Sequence, residues 1–138
     1  MINQVSRISD IQLPSSVSTL YIDGSFLPPS SHPASSMAYA WTAIDSDGFI
    51  LESHYNIISS IFPSALRSEV FALLHELDSL PRDSQITVAT DCAQLLSLWS
   101  SYVNAPFIPR ILKESNHLLW SSIRAIKSQK NLDVTLIK

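Results

Sequence analysis

From Thr19 to Phe26 polar and apolar positions alternate, with Leu20, Ile22 and Gly24 on one side and Tyr21, Asp23 and Ser25 on the other. A period of two predicts a strand with one buried face. Asp23-Gly24 is also the strongest short hairpin signal. Here the apolar run continues through Phe26 and Leu27, and the loop residues Pro28, Pro29, Ser30, Ser31, His32 and Pro33 follow only afterwards, so the strand is predicted to run on through the pair. Residues 38–44, rich in aromatic and small side chains, predict a second strand. Asp45-Ser46-Asp47-Gly48 predicts a tight turn and residues 49–57 a third strand, which completes an antiparallel meander. The acids of that turn are turn chemistry, because the ligand ladder and closing glutamate of a calcium loop are missing.

The period then changes. After Pro63-Ser64, Leu66, Val70, Leu73, Leu77 and Leu80 recur at helical spacing, with Leu74 widening the stripe and Pro81-Arg82-Asp83 stopping it. Residues 85–91 are nearly all apolar or β-branched, which predicts a central strand ending on Asp91. A helix over 92–102 follows directly, with Cys92 as a small buried filler at its start. Pro106 and Pro109 break the connection to a last helix over 110–129, and residues 132–138 predict a fifth strand. Residues 1–18 are polar, serine-rich and without period, and are expected to form a flexible leader to one domain over 19–138.

Composition narrows this α/β picture. With 138 residues, 46% hydrophobic and 15% charged, the chain has the make-up of one globular domain. No apolar run approaches the ~20 residues of a bilayer span, and the first ten residues lack the apolar segment of a secretion signal, so no membrane is expected. A single cysteine rules out an internal disulfide and points to an intracellular, reducing compartment, cytoplasm or nucleus. The net charge of −3 is unevenly spread: residues 1–91 hold three basic and ten acidic side chains, residues 92–138 six basic and two acidic. That split suits an acidic centre beside a phosphate-contacting flank.

Three acids invite chemistry. Asp23 sits on a strand where a core would favour an apolar residue. Glu69 sits at the border of the first helix's apolar stripe, where an ordinary solvated glutamate is the plain alternative. Asp91 lies at the carboxyl end of a central strand, where open α/β sheets place their sites, although a helix N-cap would equally favour aspartate. On the last helix, Lys113, His117, Trp120, Arg124 and Lys127 form a stripe. It could track a phosphate backbone, or be a solvated face with Trp120 tucked against a neighbour.

The element order is therefore β-β-β-α-β-α-α-β, with acids on strand one, helix one and the end of strand four. With Tyr21-Ile22-Asp23-Gly24-Ser25, Arg67-Ser68-Glu69-Val70 and Val88-Ala89-Thr90-Asp91, it resembles the ribonuclease H family of hybrid-cleaving nucleases, its retroelement-type relatives in particular. The resemblance implies a ribonuclease H-like fold, a five-stranded mixed sheet in order 3-2-1-4-5 flanked by helices. It implies catalytic, metal-holding roles for Asp23, Glu69 and Asp91, with two Mg2+ or Mn2+ ions, and hydrolysis of the RNA strand of RNA/DNA hybrids. Ser25 and Arg67, inside the matching motifs, join Lys113, Trp120, Arg124 and Lys127 as candidate nucleic-acid contacts. Family members carry a further aspartate in a helix after strand five; the chain stops at Lys138, so that ligand and the last helix are expected to be missing, as in a C-terminal truncation. Two alternatives remain: a catalytically dead nucleic-acid-binding or interaction module with the same fold, and an unrelated α/β domain.

Overall fold

The computed structural model of the chain describes residues 11–27, 36–59, 65–104 and 116–138. The elements run β1 (Val17–Leu27), β2 (Ser36–Asp45), β3 (Ile50–Ser59), α1 (Ala65–Asp78), β4 (Gln85–Ala89), α2 (Ala93–Tyr102), α3 (His117–Gln129) and β5 (Asp133–Ile137). The strands form one sheet in the order β3-β2-β1-β4-β5. The two hairpin-linked pairs are antiparallel, whereas β1–β4 and β4–β5, joined through helices, are parallel. No described helix is long and apolar enough to cross a membrane. Residues 28–35, 60–64 and 105–115, which include the start predicted for the first helix and Lys113, lie outside the described residues.

The alternation in β1 explains how the sheet meets the helices. Leu20 and Ile22 are buried, as are Tyr39, Trp41 and Ala43 of β2 and Ile86 and Val88 of β4. Onto this face α1 lays Val70, Leu73, Leu74 and Leu77, and α2 and α3 pack against α1 with Leu95, Trp99, Trp120 and Ile123 in the same core. The β2–β3 turn is held as its acids suggest: Asp45 Oδ1 accepts from the N–H groups of Asp47 and Phe49, both at 2.9 Å, and Gly48 supplies φ +89°.

Two expectations change. The leader is not loose over its full predicted length. Leu13 is buried in the core and its N–H donates to the Ser79 carbonyl at 2.8 Å, while Val17 already belongs to β1. Asp91 is not a helix N-cap either. Cys92 occupies that position and Asp91 stands one residue ahead of it, free of capping duty.

The core also holds polar groups that no periodicity announces. Trp41 Nε1 donates to His75 Nδ1 at 2.9 Å, and the His54 ring stacks on His75 at 4.2 Å between centroids. Glu76 is fully buried, and neither carboxyl oxygen has a hydrogen-bond partner among the described residues. Burial, and after it the Glu69 carboxylate, push its pKa well above the ordinary 4.5. The folded chain thus keeps a proton that the unfolded chain releases. The stability this contributes is complete below 4.5 and drains away as pH rises through the higher folded value. His54 acts the other way: burial lowers its pKa, so stability is lost as pH falls below 6.5. Thermal unfolding followed between about pH 5 and 8 should show the first trend in the wild type. Glu76→Leu should reduce it, leaving the share from the raised Glu69 pKa and the opposite His54 trend, and should raise stability by roughly 1–3 kcal/mol at the alkaline end. A Glu76→Leu chain with the wild-type pH profile contradicts this assignment.

Candidate active site

The acids gather around the contact of β1 with α1 at Gly24, near the carboxyl end of β4. Asp23 points away from α1, because its neighbours Ile22 and Gly24 take up the α1 side of β1. Gly24 brings strand and helix together. A Cβ at this position would overlap Ser68 Oγ and stand 2.9 Å from the Glu69 backbone nitrogen, so only glycine admits α1 this close. Ser68 is fixed in turn, its hydroxyl donating to the Ala65 carbonyl at 2.6 Å.

That approach sets Glu69. The Gly24 N–H donates to Asp23 Oδ1 at 2.9 Å and to Glu69 Oε1 at 3.0 Å, so one backbone donor holds two carboxylates side by side. Glu69 is only 8% exposed, and its second oxygen, Oε2, is buried with no hydrogen-bond partner among the described residues. Its pKa is raised, first by burial and then by the Asp23 carboxylate, with a smaller push from Asp91; the Gly24 hydrogen bond pulls it partly back. Asp91 is exposed just beyond β4 and borders a hollow of about 180 Å³ with Tyr21, Thr90 and Lys138. The three acids singled out in the sequence therefore share one electrostatic neighbourhood, with Asp23 and Glu69 in immediate proximity and Asp91 at its edge. Among the described residues no group of three His, Cys, Asp or Glu side chains stands in an arrangement that would itself cage a metal ion.

The other candidates disperse. Trp120 is 0% exposed and packs near the Tyr102 ring, so the tucked-in alternative holds and the indole cannot stack on a base. Arg124 donates to the Tyr102 carbonyl at 2.8 Å, securing the end of α2. It lines a hollow of about 280 Å³ with Lys127, Ser128 and Asn131. That hollow adjoins the start of β5, which pairs with the start of β4, whereas Asp91 follows the end of β4; the five residues between are about 16 Å of strand. Arg124 and Lys127 thus lie at the opposite end of the sheet from the acids, whereas His117 follows Asn116 beside the start of α1. Arg67 donates to Asn116 Oδ1 at 2.7 Å and lies over the Phe71 ring, bracing α1 against the start of α3. Ser25 lies on β1 two residues beyond Asp23. Sequence reasoning passed over Gly24 as a hydrogen-bond donor, Ser68 and Glu76. The last was findable, since it stands two turns from Glu69 and three residues from Leu73 on the buried side of α1.

No model of a known protein family matches the chain, and no curated protein matches it in sequence. Solved structures do match. Ribonuclease H1 of the halophilic archaeon Halobacterium salinarum is 17% identical with a TM-score of 0.62, over 88% of this chain and 84% of its own. The LC11 ribonuclease H1, isolated from compost by a metagenomic approach and solved with an RNA/DNA hybrid, is 16% identical with a TM-score of 0.61, over 86% and 83%. The foamy viral protease-reverse transcriptase, also solved with an RNA/DNA hybrid, is 15% identical with a TM-score of 0.60; 99% of this chain matches 19% of that one. At such identities the likeness speaks for architecture alone, and it agrees with the observed strand order: the chain has a ribonuclease H-like fold.

Proposed function

We propose that this chain is a ribonuclease H type nuclease that hydrolyses the RNA strand of RNA/DNA hybrids, with Asp23, Glu69 and Asp91 as its metal-holding carboxylates. The observation that carries this reading is the Glu69 carboxyl: buried, held by Gly24 through one oxygen, unsatisfied at the other and pressed by the charges of both aspartates. Evolution rarely leaves a buried oxygen unpaired among like charges without a use for it. An all-oxygen, all-anionic donor set suits a hard divalent cation, Mg2+ or Mn2+. A pair of such ions, when bound, supplies charge stabilisation for in-line displacement at a phosphodiester.

The rest of the work belongs to the chain. The Gly24 N–H orients Glu69 and Asp23 toward each other. Burial of Glu69 keeps water from the inner side of the site, while Asp23 and Asp91 stay exposed for substrate to approach. Bare carboxylates on a chain of net charge −3 repel a phosphate backbone, so productive binding requires the cations to be present. Discrimination of hybrid from other duplexes would come from groove shape and 2′-hydroxyl contacts rather than base reading.

The test is to offer the purified chain end-labelled RNA/DNA hybrid, double-stranded RNA and double-stranded DNA with Mg2+. The expected result is cleavage of the RNA strand of the hybrid alone, abolished by chelation. A second reading, a binding module that has lost catalysis, is favoured by the absence of a metal-caging triad among the described residues. Hybrid retained on the protein but left intact under every cation condition would decide for it.

A further inference from the structure

Beside Asp23 the open sheet face carries a hollow of about 230 Å³, lined by Asp23, Gly24, Ala38, Tyr39, Ala40 and Tyr55. Its geometry follows from strand register. Asp23 pairs with Ala40 across β1–β2, and Ala40 pairs with Tyr55 across β2–β3, so the three form one row perpendicular to the strands. Strands lie about 4.7–4.9 Å apart, which separates the acid from the aromatic ring by about 10 Å. Between them the methyl group of Ala40 makes a low floor. Tyr55 is 76% exposed, and no described residue is within hydrogen-bond reach of its hydroxyl. Its strand neighbour His54 faces the opposite way, stacked on His75, which locks the strand so that Tyr55 faces outward. An exposed aromatic wall facing a carboxylate across a small-residue floor has no packing purpose within the described chain.

We infer that Tyr55 is a substrate-positioning residue. Its ring packs against the sugar of a nucleotide in the bound strand, seated over Ala40, while the neighbouring phosphate lies at Asp23. The inference rests on the nuclease reading above and adds to it where the grip comes from. An acidic site on an acidic chain cannot hold a polyanion by charge alone, and the basic hollow at Arg124 and Lys127 lies at the far end of the sheet. An apolar contact to the sugar is independent of charge and leaves the base pair intact, so the duplex need not be unstacked. The tyrosine hydroxyl at the same spot stands ready for a 2′-hydroxyl, the group that marks RNA.

The test is equilibrium binding of labelled RNA/DNA hybrid by fluorescence anisotropy, with Mg2+ and Asp91→Asn in every background to hold cleavage back. Tyr55→Ala is expected to weaken binding about tenfold, as truncation of an aromatic anchor does. The loss should be the same at low and high salt, because no phosphate charge is involved. Tyr55→Phe should stay close to the parent, losing only preference for the hybrid over double-stranded DNA. Phe49→Ala, equally exposed but in the β2–β3 turn, should change nothing. Tyr55→Ala that binds like its parent overturns the subsite and leaves the nuclease reading standing, as does a change confined to self-association in sedimentation with hybrid affinity intact. A wild-type chain that binds no nucleic acid with Mg2+ overturns both.

Discussion

Gly24→Ala is expected to destabilise the protein by about 3 kcal/mol or more and to remove nuclease activity with it. The added methyl would overlap Ser68 Oγ and approach the Glu69 backbone nitrogen to 2.9 Å. Ser68 cannot swing clear without abandoning its hydrogen bond to the Ala65 carbonyl, and a backbone nitrogen cannot move without the helix. So α1 must lift from β1, loosening Val70, Leu73 and Leu77 from Leu20 and Ile22, all buried in the core. The same shift parts the Gly24 N–H from Glu69. Urea denaturation checks the first effect. A second substitution, Ser68→Ala, should recover part of the loss by removing the nearest obstacle, but not the part due to Glu69 nitrogen. A Gly24→Ala chain within about 0.5 kcal/mol of wild type would show that the close approach is not required.

Asp23→Asn and Asp91→Asn are each expected to lose at least about 100-fold in hybrid cleavage while unfolding no more easily than the wild type. Both effects have the same origin. The acids of the site raise the Glu69 pKa by sitting near it, so they oppose folding, and the proposed chemistry would be what keeps them there. Neutralising one relieves repulsion and, on the proposed reading, withdraws a cation ligand together. The Glu69 carboxyl, followed by NMR, should then titrate closer to its ordinary value, with a larger change for Asp23→Asn because Asp23 is the stronger perturber. Loss of activity accompanied by loss of stability, with Glu69 titration unmoved, would mark these residues as structural instead.

What the sequence disclosed about this fold was written as periodicity. The alternation in β1 and the helical stripe of α1 match the observed elements to within a residue or two, as far as the described residues extend. The strand order could not be read from any period; it came from resemblance, and the observed sheet agrees. Local reading erred at one residue and left another open. Leu13 looked like part of a polar leader because a single apolar residue has no period, yet its seat beneath Ser79 is made by a distant segment. Trp120 sat in a basic stripe at helical spacing, and spacing alone cannot tell a solvent-facing stripe from one turned into the α1–α3 contact. Asp91 was ambiguous because the helix boundary moved by one residue, which passed the capping position to Cys92. Asp23 and Glu69 were legible as misplaced polarity, whereas their shared donor at Gly24 depends on an approach that only the folded chain creates.

Divalent-cation affinity of the nucleic-acid-free protein probes the carboxylate cluster without relying on catalysis. Mn2+ titrated into the wild type and followed by electron paramagnetic resonance should be bound by the protein. Affinity should drop at least about tenfold in each of Asp23→Asn, Glu69→Gln and Asp91→Asn, and hold in Asp47→Asn, an exposed acid of the β2–β3 turn. Mn2+ affinity identical in all five proteins would contradict a cation site built from these three side chains.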